Sequence, residues 1–134
     1  MMGETHEGTE EIGYREMENN PIFIKGLDFS VRIVNLYKVL RDERHETVMS
    51  KQILRSGTSI GANISEAIAS ESTDDFVHKL SISLKEGNET KYWIMLLHRT
   101  GYLSDEEYDS ILVDCQQLRK LLGAIISTTK RNHK

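Results

Sequence analysis

The chain has 134 residues, with 17 Lys+Arg against 21 Asp+Glu, 38% apolar residues, one proline and one cysteine. That length suits one domain, a lone Cys115 excludes an internal disulfide, and no apolar run approaches the roughly 18 residues of a membrane span. The acidic N-terminus shows no signal-peptide pattern, so the expected setting is the cytoplasm.

The net charge of -4 is unevenly spread. Residues 1–20 hold six acids and one base, whereas the remainder holds 16 Lys+Arg against 15 Asp+Glu. Residues 1–20, poor in apolar side chains, are expected as a disordered acidic tail. A folded domain is expected over 21–134. Met17 directly precedes Glu-Asn-Asn-Pro. It is either an alternative start or part of an ordinary flexible tail.

The first helix is expected from about Asp28 to Arg44, with Asp28 or Ser30 as N-cap. Phe29, Ile33, Leu36, Tyr37 and Leu40 form its stripe, widened by Val31 and Val34. The second is expected from about Thr47 to Ser70, capped by Thr47 or a neighbour. Ile53, Ile60, Ile64 and Ala67 recur at helical spacing. Gly57 and Gly61 fall inside it, and each costs about 1 kcal/mol of helix propensity relative to alanine. A helix that tolerates both is expected to be approached closely by another element.

The third helix starts near Ser72 or Thr73, with Asp74 and Asp75 complementing the macrodipole. It runs through Phe76, Leu80, Leu84, Gly87, Ile94 and Leu97 to about Thr100, and Gly101 stops it. The fourth opens at Ser104, with Glu107 completing a capping box. Its Tyr108, Ile111, Cys115, Leu118, Leu122 and Ile125 form a heptad seam. No window alternates apolar and polar residues as a strand does. Short connectors make neighbours antiparallel, so the expected fold is an all-α, up-down-up-down four-helix bundle. Leu112, Leu121 and Ile126, with Trp93 and Leu96, exceed the stripe one small bundle needs. The surplus predicts self-association.

These residues resemble the four-helix bundle protein family, also called the 23S rRNA-intervening sequence protein family. The matching pieces are Gln52 to Ser56, Ser59 to Ala67, Phe76, Lys79-Leu80, Lys85 to Thr90, Tyr92-Trp93 and Gly101 to Ser104. Gly61 stands where many members carry proline. The resemblance covers about Phe23 to Lys130 and implies a ring-shaped homopentamer. A related protein is the accessory protein of diversity-generating retroelements, a basic pentameric barrel that binds nucleic acid and a reverse transcriptase. The resemblance defines no enzymatic activity.

The residues themselves bear on four kinds of chemistry. For nucleic acid, the candidate phosphate contacts are Arg32, Lys38, Arg41, Arg44 and Lys51 in the first half, with Arg119, Lys120, Lys130 and Arg131 near the C-terminus. Solvated helix surface is the plainer explanation, and a charge balance near zero in the folded part is a weak footprint. Rings of copies would amplify it. A structural polar network is expected from Arg55, Asn63, Glu66, Glu86 and Glu89, fixing register more than stability. Asp42-x-x-His45 and Asp75-x-x-His78 have di-iron spacing but lie near helix ends, so no metal or other cofactor is expected. Cys115 falls on the seam as a small core residue, and no nucleophile, base and oxyanion hole assemble. The expectation is a non-enzymatic homo-oligomer that binds RNA or DNA electrostatically, with a protein-interaction scaffold as the alternative.

Overall fold

The computed structural model describes residues 19–133. Most of the expected tail, residues 1–18, with Met17, lies outside them. Four α-helices follow in order: α1 (Pro21–Asp42), α2 (Met49–Ile68), α3 (Thr73–Arg99) and α4 (Asp105–Asn132). Sequence neighbours pack together and α4 returns to α1, giving the antiparallel up-down-up-down bundle. Among the described residues there is no strand.

α1 begins seven residues before the expected start. Pro21 occupies the first turn, where its missing N–H costs nothing. The Asn20 side chain accepts from the N–H groups of Ile22 (3.0 Å) and Phe23 (3.4 Å). The capping signal was present, but residues 21–28 show no single stripe because both sides of this turn are apolar.

Of the two expected choices for the second cap, Thr47 or a neighbour, the α1–α2 connector uses the neighbour, Glu46. Its carboxylate accepts from Val48 (3.1 Å), Met49 (3.0 Å) and Ser50 (2.6 Å) N–H groups. The Glu46 N–H donates to the Leu40 carbonyl at 2.8 Å, folding the connector back on α1. His45 makes that reversal with φ 55°, a left-handed conformation that histidine tolerates better than most side chains.

The helix-three and helix-four starts are as the sequence indicates. Ser72 accepts from the Asp75 N–H at 3.0 Å. Ser104 and Glu107 form the reciprocal capping box. Gly101 has φ 86°, ending α3 where an L side chain would be strained.

The core runs the length of the bundle through Ile33, Leu40, Ile53, Ile64, Leu80, Ile94, Leu97 and Leu122, all fully buried. On α4 the seam holds from Ile111 to Leu122, then passes to Ile126 while Ile125 is half-buried. A helix drifts about 20° per heptad against a strict seven-residue repeat, so the last contact moves one position on.

The surplus apolar surface is not where it was expected. Leu112, Leu121 and Trp93 pack against the core, Ile126 is part of it and Leu96 is half-buried. The exposed apolar side chains are instead Ile24, Leu27, Val31, Val48, Tyr92, Met95 and Val113.

Candidate nucleic-acid interface

The nine candidate phosphate contacts separate into two groups. Four arginines are held by partners within the fold. Arg32 on α1 reaches α4, 2.5 Å from Asp114 and 2.6 Å from the Ser110 hydroxyl. Arg41 pairs with its neighbour Asp42 at 2.7 Å and lies over the Tyr37 ring. Its hydrogen bond to Asp42 raises the guanidinium pKa and lowers that of the carboxyl. Arg119 bonds Asn88 of α3 at 2.8 Å and also Gln116.

Arg44 is the most committed of the four. It contacts both Glu107 carboxylate oxygens, at 3.0 and 2.7 Å, and the Tyr102 carbonyl at 2.6 Å. It therefore ties the end of α1 to the α3–α4 turn. The Arg44 hydrogen bonds, then the Ser104 N–H, hold the Glu107 carboxyl down at about 2. The same pairing raises Arg44.

Lys38, Lys51, Lys120, Lys130 and Arg131 are exposed. None of the five makes an ion pair among the described residues. Lys38 and Lys51 flank the α1–α2 connector, and Lys130 and Arg131 end α4 at the other end of the bundle. A helix of α1's length spans roughly 30 Å at 1.5 Å per residue. One chain thus spreads these exposed cations over both ends of the bundle, with Lys120 midway along α4, and not in one patch.

The expected polar network is only partly assembled. Arg55 of α2 bridges to Glu86 and Glu89 of α3, with Glu86 at 3.3 Å. Trp93 donates its ring N–H to Glu89 at 3.2 Å. Asn63 instead donates to the Ser59 carbonyl one turn back in its own helix, and Glu66 is exposed. Both follow from height: the helices run antiparallel, with Ser56 level with Thr90 and Ile60 level with Ser83, so Asn63 and Glu66 lie too far along α2 to reach Glu86 and Glu89.

Apart from Glu46, the buried polar residues are ones that charge did not mark. The Thr90 hydroxyl lies 2.9 Å from the Ser56 hydroxyl and 2.7 Å from the Glu86 carbonyl. Ser83 donates to the Ile60 carbonyl at 2.7 Å. Such small hydroxyls let helices approach while keeping every buried polar atom satisfied. Their signal in the sequence was a polar residue at a core position of the repeat, as at Ser56, Ser83 and Thr90.

His98 is 2.7 Å from Asp105 and stacks on Tyr108. Asp42 ends α1 and His45 lies beyond it, so the Asp42-x-x-His45 spacing does not fall on one helix. Among the described residues no three His, Cys, Asp or Glu side chains gather closely enough to hold a metal ion. Burial pushes the Cys115 thiol up to about 11, which keeps it an unreactive core group. No described helix is long and apolar enough to cross a membrane.

The fold defines a small antiparallel four-helix bundle whose exposed cations are spread over both ends. The profile of 23S rRNA-intervening sequence proteins matches residues 18–124, and the chain belongs to that family. Among solved structures, it is similar to a protein of unknown function from the S23 ribosomal protein family of Bacteroides thetaiotaomicron. The two are 58% identical, with a TM-score of 0.78, over 79% of this chain and 95% of that one. No curated protein matches.

Proposed function

We propose that the protein is a non-enzymatic, cytoplasmic module that assembles as a homopentameric ring and binds RNA or DNA through exposed cations. The observation that carries this is the division among its basic residues. The arginines that lie between helices are consumed by the fold, whereas Lys38, Lys51, Lys120, Lys130 and Arg131 are exposed and make no close ion pair among the described residues. A ring repeats each exposed cation once per copy, so a near-neutral chain gains rings of positive charge.

Binding of this kind is electrostatic and weakly selective for sequence. Phosphates displace counterions from the lysines, and affinity falls steeply as salt rises. The test is native mass measurement of the full chain with a mixed pool of short RNA and DNA at two salt concentrations. A pentamer that takes up nucleic acid at low salt and releases it at moderate salt is the expected result. A pentamer that takes up none at either salt overturns the nucleic-acid role and leaves a protein scaffold.

A further inference from the structure

A glycine inside a helix is unfavourable, so Gly87, midway along α3, calls for a reason. A Cβ there would stand 2.9 Å from Cγ of Arg119 on α4. The arginine stem lies across α3 in the notch that the missing side chain leaves. The Asn88 side-chain oxygen accepts from its Nε–H at 2.8 Å, and the Gln116 side-chain oxygen accepts from Nη1. The guanidinium is therefore held from both helices.

What holds it is neutral. Arg32, Arg41, Arg44 and Arg55 each meet a carboxylate. Arg119 meets two amides and makes no close ion pair among the described residues. The fold uses its position but leaves its charge. The acids nearest in sequence face elsewhere: Glu86 and Glu89 turn to Arg55 on α2, and Asp114 turns to Arg32 on α1. Beside Arg119 opens a hollow of about 360 Å³, lined by Leu84, Gln116, Arg119 and the exposed Lys120. Lys91, one turn beyond Asn88, adds to the positive field: its charge, like that of Arg119, reaches the Cys115 thiol.

The polar groups at this hollow donate. Arginine has no acceptor, so it fixes both amide oxygens toward itself and leaves the amide NH2 groups of Asn88 and Gln116 as donors. Arg119 Nη2 has no partner among the described residues. Donors around two uncompensated cations select an anion with several oxygens. We infer that the Arg119/Lys120 hollow on the α3–α4 face binds a phosphate group, with Asn88 and Gln116 as positioning residues. This rests on the nucleic-acid reading above for the source of the phosphate, and a free phosphate presents the same chemistry.

The test uses the full chain and two variants. Asn88→Asp sets a carboxylate against Arg119 without removing it, at an exposed position. Arg119→Met keeps a stem in the Gly87 notch and removes the charge. Circular dichroism and native mass check fold and assembly. The probes are a short single-stranded RNA, followed by fluorescence anisotropy over a salt series, and inorganic phosphate alone, followed by titration calorimetry. Both variants are expected to bind the RNA about tenfold more weakly at low salt, with a salt slope lower by about one. If only phosphate uptake is lost, the hollow stands and its source is a free phosphate. RNA and phosphate binding equal in all three proteins overturns the hollow and leaves the proposed function standing. A wild type that takes up phosphate but no RNA overturns the proposed function alone. No binding of either probe by the wild type overturns both. A variant whose native mass departs from that of the wild type places the hollow between copies and overturns the phosphate assignment.

Discussion

Gly26 of α1 and Gly61 of α2 bring two helix backbones into contact. A Cβ on Gly61 would stand 3.0 Å from the Gly26 carbonyl oxygen, and a Cβ on Gly26 would stand 3.2 Å from the Gly61 Cα. One turn away, a Cβ on Gly57 would lie 2.8 Å from Ile33 Cγ1. The element that approaches α2 closely is thus α1, and the propensity cost of each glycine is offset by packing. A proline at position 61 would disturb this same contact.

Gly57→Leu is therefore expected to destabilise the bundle. Ile33 is completely buried and cannot swing aside, so an overpacking cost of about 1–3 kcal/mol or more is expected. Gly123→Ala on α4 is the matched control, because nothing lies within 4 Å of its added Cβ. That change is expected to stabilise by about 0.5–1 kcal/mol through helix propensity alone. Urea unfolding of the two variants measures both. Equal stability of Gly57→Leu and wild type would remove the close-approach argument.

Glu46 is buried yet charged. Burial acts to raise its carboxyl pKa, but the N–H groups of Ser50, Met49 and Val48 overcome it and hold the group below its usual value. Glu46→Ala removes the cap of α2 and leaves three N–H groups without that acceptor. A loss of about 1–2 kcal/mol is expected, at the upper end for a cap. Thr47→Ala, at the position the sequence suggested, is expected to change little, and calorimetric melting of the pair distinguishes them.

The Arg44–Glu107 pair gives a pH dependence with a definite sign. Glu107 has its carboxyl lowered from 4.5 to about 2, chiefly by Arg44. Its stabilisation is complete above about pH 4.5 and is lost as pH falls toward 2. Both side chains are about a third exposed, so screening leaves a contribution of about 1 kcal/mol. Glu107→Gln is expected to lower stability by that amount at pH 7 and by progressively less below pH 4.5. A difference independent of pH between 7 and 3 would rule out the ion pair as its source.

The two classes of cation separate experimentally. Lys38→Ala with Lys51→Ala is expected to weaken nucleic-acid binding and to lower the salt slope by about one per lost phosphate contact. Arg44→Ala is expected to lower the melting temperature and leave the salt slope unchanged. If Arg44→Ala flattens the slope as strongly as the lysine pair, the division between structural and free cations fails.

Local chemistry was legible in the sequence wherever a residue's role depends on its own neighbours. The Ser104/Glu107 box, the Ser72 cap, Gly101 and the four amphipathic repeats each act within a few positions, and they define the bundle. The resemblance read from Gln52 to Ser104 points to the same family. Roles that depend on distant partners were not legible. Nothing in the string distinguishes Arg44, locked to Glu107 across 63 positions, from the exposed Lys38. Glu46 became a cap only because the connector turns back at His45, and Asn63 and Glu66 dropped out of the polar network because the antiparallel pairing of α2 with α3 sets them too far along the axis from Glu86 and Glu89. Spacing along a chain determines which faces are apolar, because a helix repeats every 3.6 residues. Which charges are used up, and which face of α1 is left uncovered, only the packing of one helix against another decides.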